Sequence, residues 1–196
     1  MPTMPMDDPY DWFRLWFDEA LASDEIEPTA MGLATVSPDG APTTRIVLLK
    51  AHDRKGFVFY TNLLSEKGQH LEHTPEAALN FWWKTLGRQV RIDGAVEPVT
   101  DAEADAYFAS RPRESQLGAW ASHQSAPLLS RDVLEDRWIA AREQFEGGPV
   151  PRPDFWSGFR VIPRRIEFWR LGDHRLHDRW RFLAVGPGWE RHRLYP

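Results

Sequence analysis

The stretch AMGLATVSPDGAPTTRIVLLKAHDRKGFVFYTN, residues 30–62, decides the fold. Residues 30–36 form a strand-like run that ends in Ser37-Pro38-Asp39-Gly40, a strong hairpin turn. A second run, 43–50, follows. Asp53-Arg54-Lys55-Gly56 turns the chain again, and 57–61 is a third run rich in aromatic and β-branched residues. Short strands joined by tight turns make an antiparallel sheet. A parallel α/β sheet would need helices alternating regularly with strands, and they do not.

On the N-terminal side, Trp12, Phe13, Trp16, Phe17, Ala20 and Leu21 recur at helical spacing, so residues 9–23 read as an amphipathic helix with a proline near its start. On the C-terminal side a short helix is expected over 65–73, then strands over 77–84 and 89–99. Thr100-Asp101-Ala102-Glu103 has the capping-box pattern and predicts a helix running to about Ser110. Further helices are expected at 112–122 and 130–145, a proline-glycine loop at 147–153, and strands at 158–162, 165–171, 180–185 and 189–194. The sum is a mainly β, antiparallel barrel with peripheral helices, in a single domain over 1–196 with a flexible start over about 1–8.

Composition narrows the function. A formal charge of −5 argues against broad nucleic-acid binding, which needs a basic face. The absence of cysteine excludes disulfides, thiol catalysis and Cys-based metal sites, and fits a reducing cytoplasm. No secretory signal is visible, and no stretch approaches the roughly 20 apolar residues that span a membrane. Ten tryptophans and eleven phenylalanines exceed what a core of this size needs, which favours an oligomer or a pocket for a planar ligand.

Several segments carry possible chemistry. Arg45 and Lys50 bracket an apolar strand; five residues apart, they point to opposite faces and need not serve one ligand. Ser65-Glu66-Lys67 follows a strand ending Tyr60-Thr61-Asn62. It reads either as an ordinary N-cap by Ser65 or as a helix start offering N–H groups and Lys67 to a phosphate. Tyr107, Arg111 and Ser115, four apart across Pro112, could cradle a phosphate or form a helix end with a surface arginine. Gln124-Ser125 could supply hydrogen bonds or simply be loop. Near the C-terminus, Ile166-Glu167-Phe168-Trp169 leads into Arg175-Leu176-His177-Asp178-Arg179, a patch suited to gripping a flat anion. His174 and His177 with Asp173 and Asp178 lack metal-site spacing, so no metal is expected. No Gly-x-Ser-x-Gly elbow, Gly-x-Gly-x-x-Gly or Walker loop occurs, which argues against hydrolase, Rossmann and P-loop modes.

Taken in order, RIVLLK (45–50), FYTN (59–62), RQV (88–90), SRPRESQ (110–116), GAW (118–120), QS (124–125), FWSGFR (155–160), and EFW (167–169) followed by RLHDR (175–179) resemble the pyridoxamine 5′-phosphate oxidase family. The resemblance implies an FMN-binding split barrel that works as a homodimer. It implies oxidation of pyridoxamine or pyridoxine 5′-phosphate to pyridoxal 5′-phosphate, with hydride passing to flavin N5 and O2 reduced to hydrogen peroxide. By the same resemblance Arg45 and Lys67 bind the FMN phosphate with Gln124 and Ser125 nearby. Ile46, Val47, Leu48, Leu49, Lys50, Tyr60 and Thr61 line the flavin. Gln89, Trp169 and Arg179 contact it as well, some from the second subunit. Lys50, Tyr107, Arg111 and Ser115 hold the substrate phosphate, and Arg175, Leu176 and His177 lie over the substrate ring, with Arg175 and His177 catalytic. Glu66 stands where the family usually has an arginine. Two other readings share part of the pattern: a related FMN split-barrel oxidase acting on another planar substrate of phenazine type, and a non-catalytic flavin- or pyridoxal-phosphate-binding protein.

Overall fold

The computed structural model describes residues 6–196; the rest of the expected flexible start, residues 1–5, lies outside the described residues. Asp8 caps the first helix, α1 (Pro9–Leu21), its carboxylate accepting from the Tyr10 N–H at 2.8 Å. β1 (Ala30–Val36) and β2 (Pro42–Leu48) form the expected hairpin, closed by the Gly40 N–H donating to Ser37 O at 2.9 Å. β3 (Ala51–Asp53) is a short strand that the sequence pattern did not reveal, because three residues are too few to show a period. β4 (Gly56–Asn62), α2 (Glu66–His73), β5 (Glu76–Trp83) and β6 (Arg88–Pro98) follow as expected to within a residue or two. The Thr100 capping box starts α3 (Asp101–Ser110) with both reciprocal bonds formed. α4 (Arg113–Ala121) and α5 (Arg131–Gln144) complete the helices.

The tail departs from expectation in one respect. Residues 158–162 and 165–171 are not two strands: β7 (Trp156–Arg170) runs unbroken through Pro163. The pairing of β6 with β7 shifts register between Asp93 and Gly94 just where the proline falls, and a bulge is a place inside a sheet where a missing N–H costs no ladder bond. Gly94 is required there: a Cβ on it would lie 1.9 Å from Ile162 O. After a short 3₁₀ turn at Asp173–Arg175, β8 (Asp178–Val185) and β9 (Gly188–Leu194) close the chain.

All nine described strands join one antiparallel sheet: seven run in the order β2-β1-β5-β6-β7-β4-β3, and β8 branches off β7 with β9 beside it. β7 organises it. Its first half pairs with β4, its second half with β8, and β6 lies along both. The sheet therefore divides at β7 and curls as a split barrel. α1 fills the curl: Trp12 stacks on Phe168 at 4.2 Å, and Phe13 packs edge-on to Phe57 and Phe81. Burying four aromatic rings from this one helix contributes on the order of 6–12 kcal/mol before entropy is counted. Among the described residues no helix is long and apolar enough to cross a membrane.

Candidate active site

One helix, α2, and two strands, β2 and β4, position the first group of cations. β4 ends at Asn62, whose side-chain carbonyl accepts from the Leu64 N–H at 2.8 Å, and the chain turns into α2. Ser65 caps α2, accepting from the Gly68 N–H while its own hydroxyl donates to Asn62 O at 2.6 Å. Lys67, in the first turn, is 7 % exposed and reaches only hydroxyls: Thr61 Oγ1 at 3.3 Å and Ser65 Oγ at 3.2 Å. Burial, and secondly the neighbouring Arg45, lower its pKa, while Glu66 works in the opposite sense. Arg45 comes in from β2 and is gripped by two threonines, Thr35 Oγ1 at 2.6 Å and Thr43 Oγ1 at 2.7 Å. Glu66 is more than half exposed and lies 3.5 Å from the Arg45 guanidinium.

The second group comes from the α3–α4 junction. Pro112 disfavours helix at the preceding residue, and Arg111 is extended there, at φ −72° and ψ 148°, so the chain breaks into two helices. The break aims Arg111 inward over the Trp156 ring at 4.7 Å and the Phe108 ring at 5.5 Å. Burial lowers its pKa from the usual arginine value. One guanidinium nitrogen, Nη1, is fully buried with no hydrogen-bond partner, a costly state unless a ligand acceptor meets it. Tyr107 stacks on Tyr60 at 4.0 Å, and Tyr60 stacks on Trp156 at 5.5 Å.

Both groups line one cavity of about 960 Å³. Arg45, Ile46, Val47, Leu48 and Lys50 form one wall, and Tyr60, Thr61 and Lys67 another. Tyr107, Arg111 and Ser115 come from the helices, and Gln124 and Ser125 from the loop after α4. The alternation expected to send Arg45 and Lys50 to opposite faces does not operate, because β2 stops at Leu48, two residues before Lys50. Leu49 is a correction to the expected lining: its side chain is 3 % exposed in the hydrophobic core, and its N–H donates to Thr29 O. Trp156 lines the cavity and was not singled out, although it stands inside the FWSGFR block. Thr35, Thr43 and His70 also escaped notice; Thr43 and Arg45, two apart on one strand, share a face and were the available clue.

The remaining candidates lie elsewhere on the protomer. Gln89, Trp169 and Arg179 stand side by side across β6, β7 and β8, with Trp82 before them on β5. Arg179 is held by Glu167 at 2.7 Å. Arg175, Leu176 and His177 follow, in the turn after β7, and none of the six lines the cavity. His177 packs on Trp169 at 4.5 Å, and its Nδ1 accepts from the Gly172 N–H at 3.2 Å. A neutral His177 ring therefore carries its proton on Nε2. Among the described residues only three non-glycine residues have left-handed backbones: Ser125 at φ 72°, His174 at φ 53° and Arg175 at φ 65°. Such conformations cost roughly 1 kcal/mol or more apiece, and all three fall in segments that carry candidate site residues.

The chain is similar to known proteins along nearly its whole length. A family model described as "Pyridoxamine 5′-phosphate oxidase" matches residues 17–145, and one described as "Pyridoxine 5′-phosphate oxidase C-terminal dimerisation region" matches residues 156–196. A pyridoxine/pyridoxamine 5′-phosphate oxidase of Rubrobacter xylanophilus is 54 % identical over 96 % of this chain and 87 % of its own length. The Caulobacter vibrioides protein of the same name is 53 % identical over 100 % of this chain and 88 % of its own. Among solved structures, PhzG from Burkholderia lata 383, in complex with tetrahydrophenazine-1-carboxylic acid, is 31 % identical with a TM-score of 0.93, covering 98 % of this chain and 94 % of that one. An FMN-binding protein of Nostoc punctiforme shares the fold at 15 % identity and a TM-score of 0.77, covering 98 % of this chain and all of that one. With one family model over its first two-thirds, another over its tail and about half its residues shared with these relatives, the chain belongs to the pyridoxamine 5′-phosphate oxidase family.

Proposed function

We propose that the chain catalyses FMN-dependent oxidation of pyridoxamine or pyridoxine 5′-phosphate to pyridoxal 5′-phosphate, as a homodimer and with O2 as the electron acceptor. The observation that carries this reading is a single cavity holding two desolvated cations, Lys67 and Arg111, neither with an ion-pair partner among the described residues. One cation meets only hydroxyls and the other only aromatic faces, so both are prepared for anions that the protein does not supply. Two phosphates, one on the cofactor and one on the substrate, satisfy them. The residues fit FMN in that sense: Arg45 and Lys67 would hold its phosphate, with Thr61, Gln124 and Ser125 beside it. When bound, FMN supplies the two-electron oxidant that takes hydride from the substrate's 4′ carbon and is regenerated by O2, giving hydrogen peroxide.

The chain's own residues bind and orient. Lys50, Tyr107, Arg111 and Ser115 clamp the substrate phosphate, fixing the pyridine ring against the cofactor, and positioning of this kind lowers the barrier by several kcal/mol. Arg175 and His177 reach the ring from the partner subunit, which accounts for their distance from the cavity of their own protomer. With Nδ1 engaged by Gly172, a neutral His177 offers Nε2–H as a donor to a polar group of the substrate ring. Arg175 adds positive charge where negative charge develops. An amine substrate leaves as an imine, which water hydrolyses to aldehyde and ammonia.

The clamp separates this reading from a phenazine-type oxidase, whose substrate has no phosphate to meet Arg111. Purified protein should be yellow and should consume O2 with pyridoxamine 5′-phosphate far faster than with pyridoxamine. Equal turnover of the two would defeat the substrate assignment, and a yellow protein inert to both would favour a binding protein. The cysteine-free composition suits the reducing cytoplasm, where we place the enzyme.

A further inference from the structure

His70 is buried, 7 % exposed, and lies on α2 one turn after Glu66 and Lys67. Its Nδ1 is 3.1 Å from Thr35 Oγ1 and 3.5 Å from Thr43 Oγ1. These are the same two oxygens that accept from Arg45, Nη1 on Thr35 at 2.6 Å and Nη2 on Thr43 at 2.7 Å. The two threonines face each other across the β1–β2 hairpin, and Arg45 lies two residues beyond Thr43 on the same face.

The chemistry of the donors orders this network. A guanidinium can only donate, so both threonine oxygens accept from it. The buried Thr35 hydroxyl hydrogen then needs an acceptor, and Nδ1 at 3.1 Å takes it, with the Thr43 oxygen farther off at 3.5 Å. That fixes the neutral ring with its proton on Nε2 and points the hydroxyl lone pairs at Arg45. An apolar residue at position 70 would leave the buried Thr35 hydroxyl hydrogen without a partner, and it would rotate toward another acceptor, taking its lone pair away from Arg45.

We infer that His70 is a positioning residue: acting through Thr35 and Thr43, it holds the Arg45 guanidinium in the orientation that receives the cofactor phosphate. The inference rests on the assignment of Arg45 and Lys67 to that phosphate. It adds a residue whose side chain does not line the cavity.

Fluorescence titration of flavin-free protein with FMN and, separately, with riboflavin tests it, because riboflavin lacks the phosphate. His70→Leu should weaken FMN binding about tenfold, the loss of one hydrogen bond to a charge-holding group, and leave riboflavin binding unchanged. His70→Asn, whose Oδ1 hangs from Cγ as Nδ1 does, should restore FMN affinity to within about twofold, since it returns the acceptor. Thr35→Val removes the intermediary and should reproduce the FMN-selective loss, which gives a second route if the leucine variant fails to fold. Equal weakening of FMN and riboflavin, unaltered FMN binding in the leucine variant, or an asparagine variant as weak as leucine would each overturn the role. A parent protein that binds riboflavin as tightly as FMN would instead remove the phosphate assignment beneath it, a failure visible without any variant.

Discussion

At the scale of single residues the cavity sacrifices stability for binding. The Lys67 pKa lies below the usual lysine value, near 10.4 in an unfolded chain, because burial and Arg45 disfavour the charge. With the folded value the lower one, the folded protein binds fewer protons between the two. The penalty is therefore fully present below the folded pKa, fades as pH rises between the two values and is gone above the unfolded one. Lys67→Met should leave the flavin-free protein as stable as the parent or more so, yet weaken FMN roughly ten- to hundredfold, the value of a charge-assisted hydrogen bond. Thermal melts and FMN titration check both halves; a melt lowered by several degrees would show the lysine to be structural. FMN affinity should also fall as pH rises through the depressed lysine pKa, since binding requires the charged form. Glu66 acts in the opposite direction. Its exposed pairing with Arg45 adds at most about 1 kcal/mol to stability, whereas its charge repels a dianionic phosphate by a similar amount. Glu66→Gln should therefore tighten FMN by roughly fivefold at low salt, with the gain shrinking as salt screens it. An unchanged titration would mean that the carboxylate swings clear when phosphate binds.

At the scale of elements, the turn from β4 into α2 fixes where these cations stand, and one glycine makes it possible. Replacing a helical glycine with alanine ordinarily stabilises by about 1 kcal/mol. At Gly68 the added Cβ would lie 2.1 Å from Leu63 O, a backbone atom that cannot step aside. Overpacking of this kind costs about 1–3 kcal/mol or more, so the clash outweighs the propensity gain. Gly68→Ala should lower the melting temperature by several degrees and weaken FMN, as calorimetry and titration would show; a raised melting temperature would mean that the turn yields. This is also the scale at which the sequence was most legible. The aromatic spacing of α1, the Thr100–Glu103 capping box and the Ser37–Gly40 turn are local signals, and each element formed where its signal lay. Pro163 misled for a physical reason: a proline ends an isolated strand, but here it coincides with a bulge specified by Gly94, 69 residues earlier in the chain. The same limit hid His70. Nothing near it in sequence shows that Thr35 and Thr43 will meet its ring, because that contact exists only after the hairpin and α2 pack together.

At the scale of the whole molecule, the candidate site is divided. Arg45, Lys67 and Arg111 line a cavity that Arg175 and His177 of the same protomer do not reach, and the tail that carries those two matches a dimerisation-region model. The row Trp82, Gln89, Trp169 and Arg179 crosses four adjacent strands, with Trp82 48 % exposed. An aromatic residue left in solvent beside three expected cofactor contacts is what a subunit interface looks like before its partner arrives. If each site joins one subunit's cavity to the other's tail, two defective proteins should repair each other. Arg111→Ala spoils the cavity and His177→Ala the tail. In a dimer containing one of each, one site combines both lesions and the other combines none. Random assortment makes half of the dimers mixed, so co-expressed variants should recover about a quarter of parental activity, although each alone is nearly inactive. Separate tags on the two chains allow the mixed dimer to be isolated, and it should then show about half. Recovery no greater than the average of the two single variants would place the tail over its own subunit's cavity, and the division of the site between subunits would have to be abandoned.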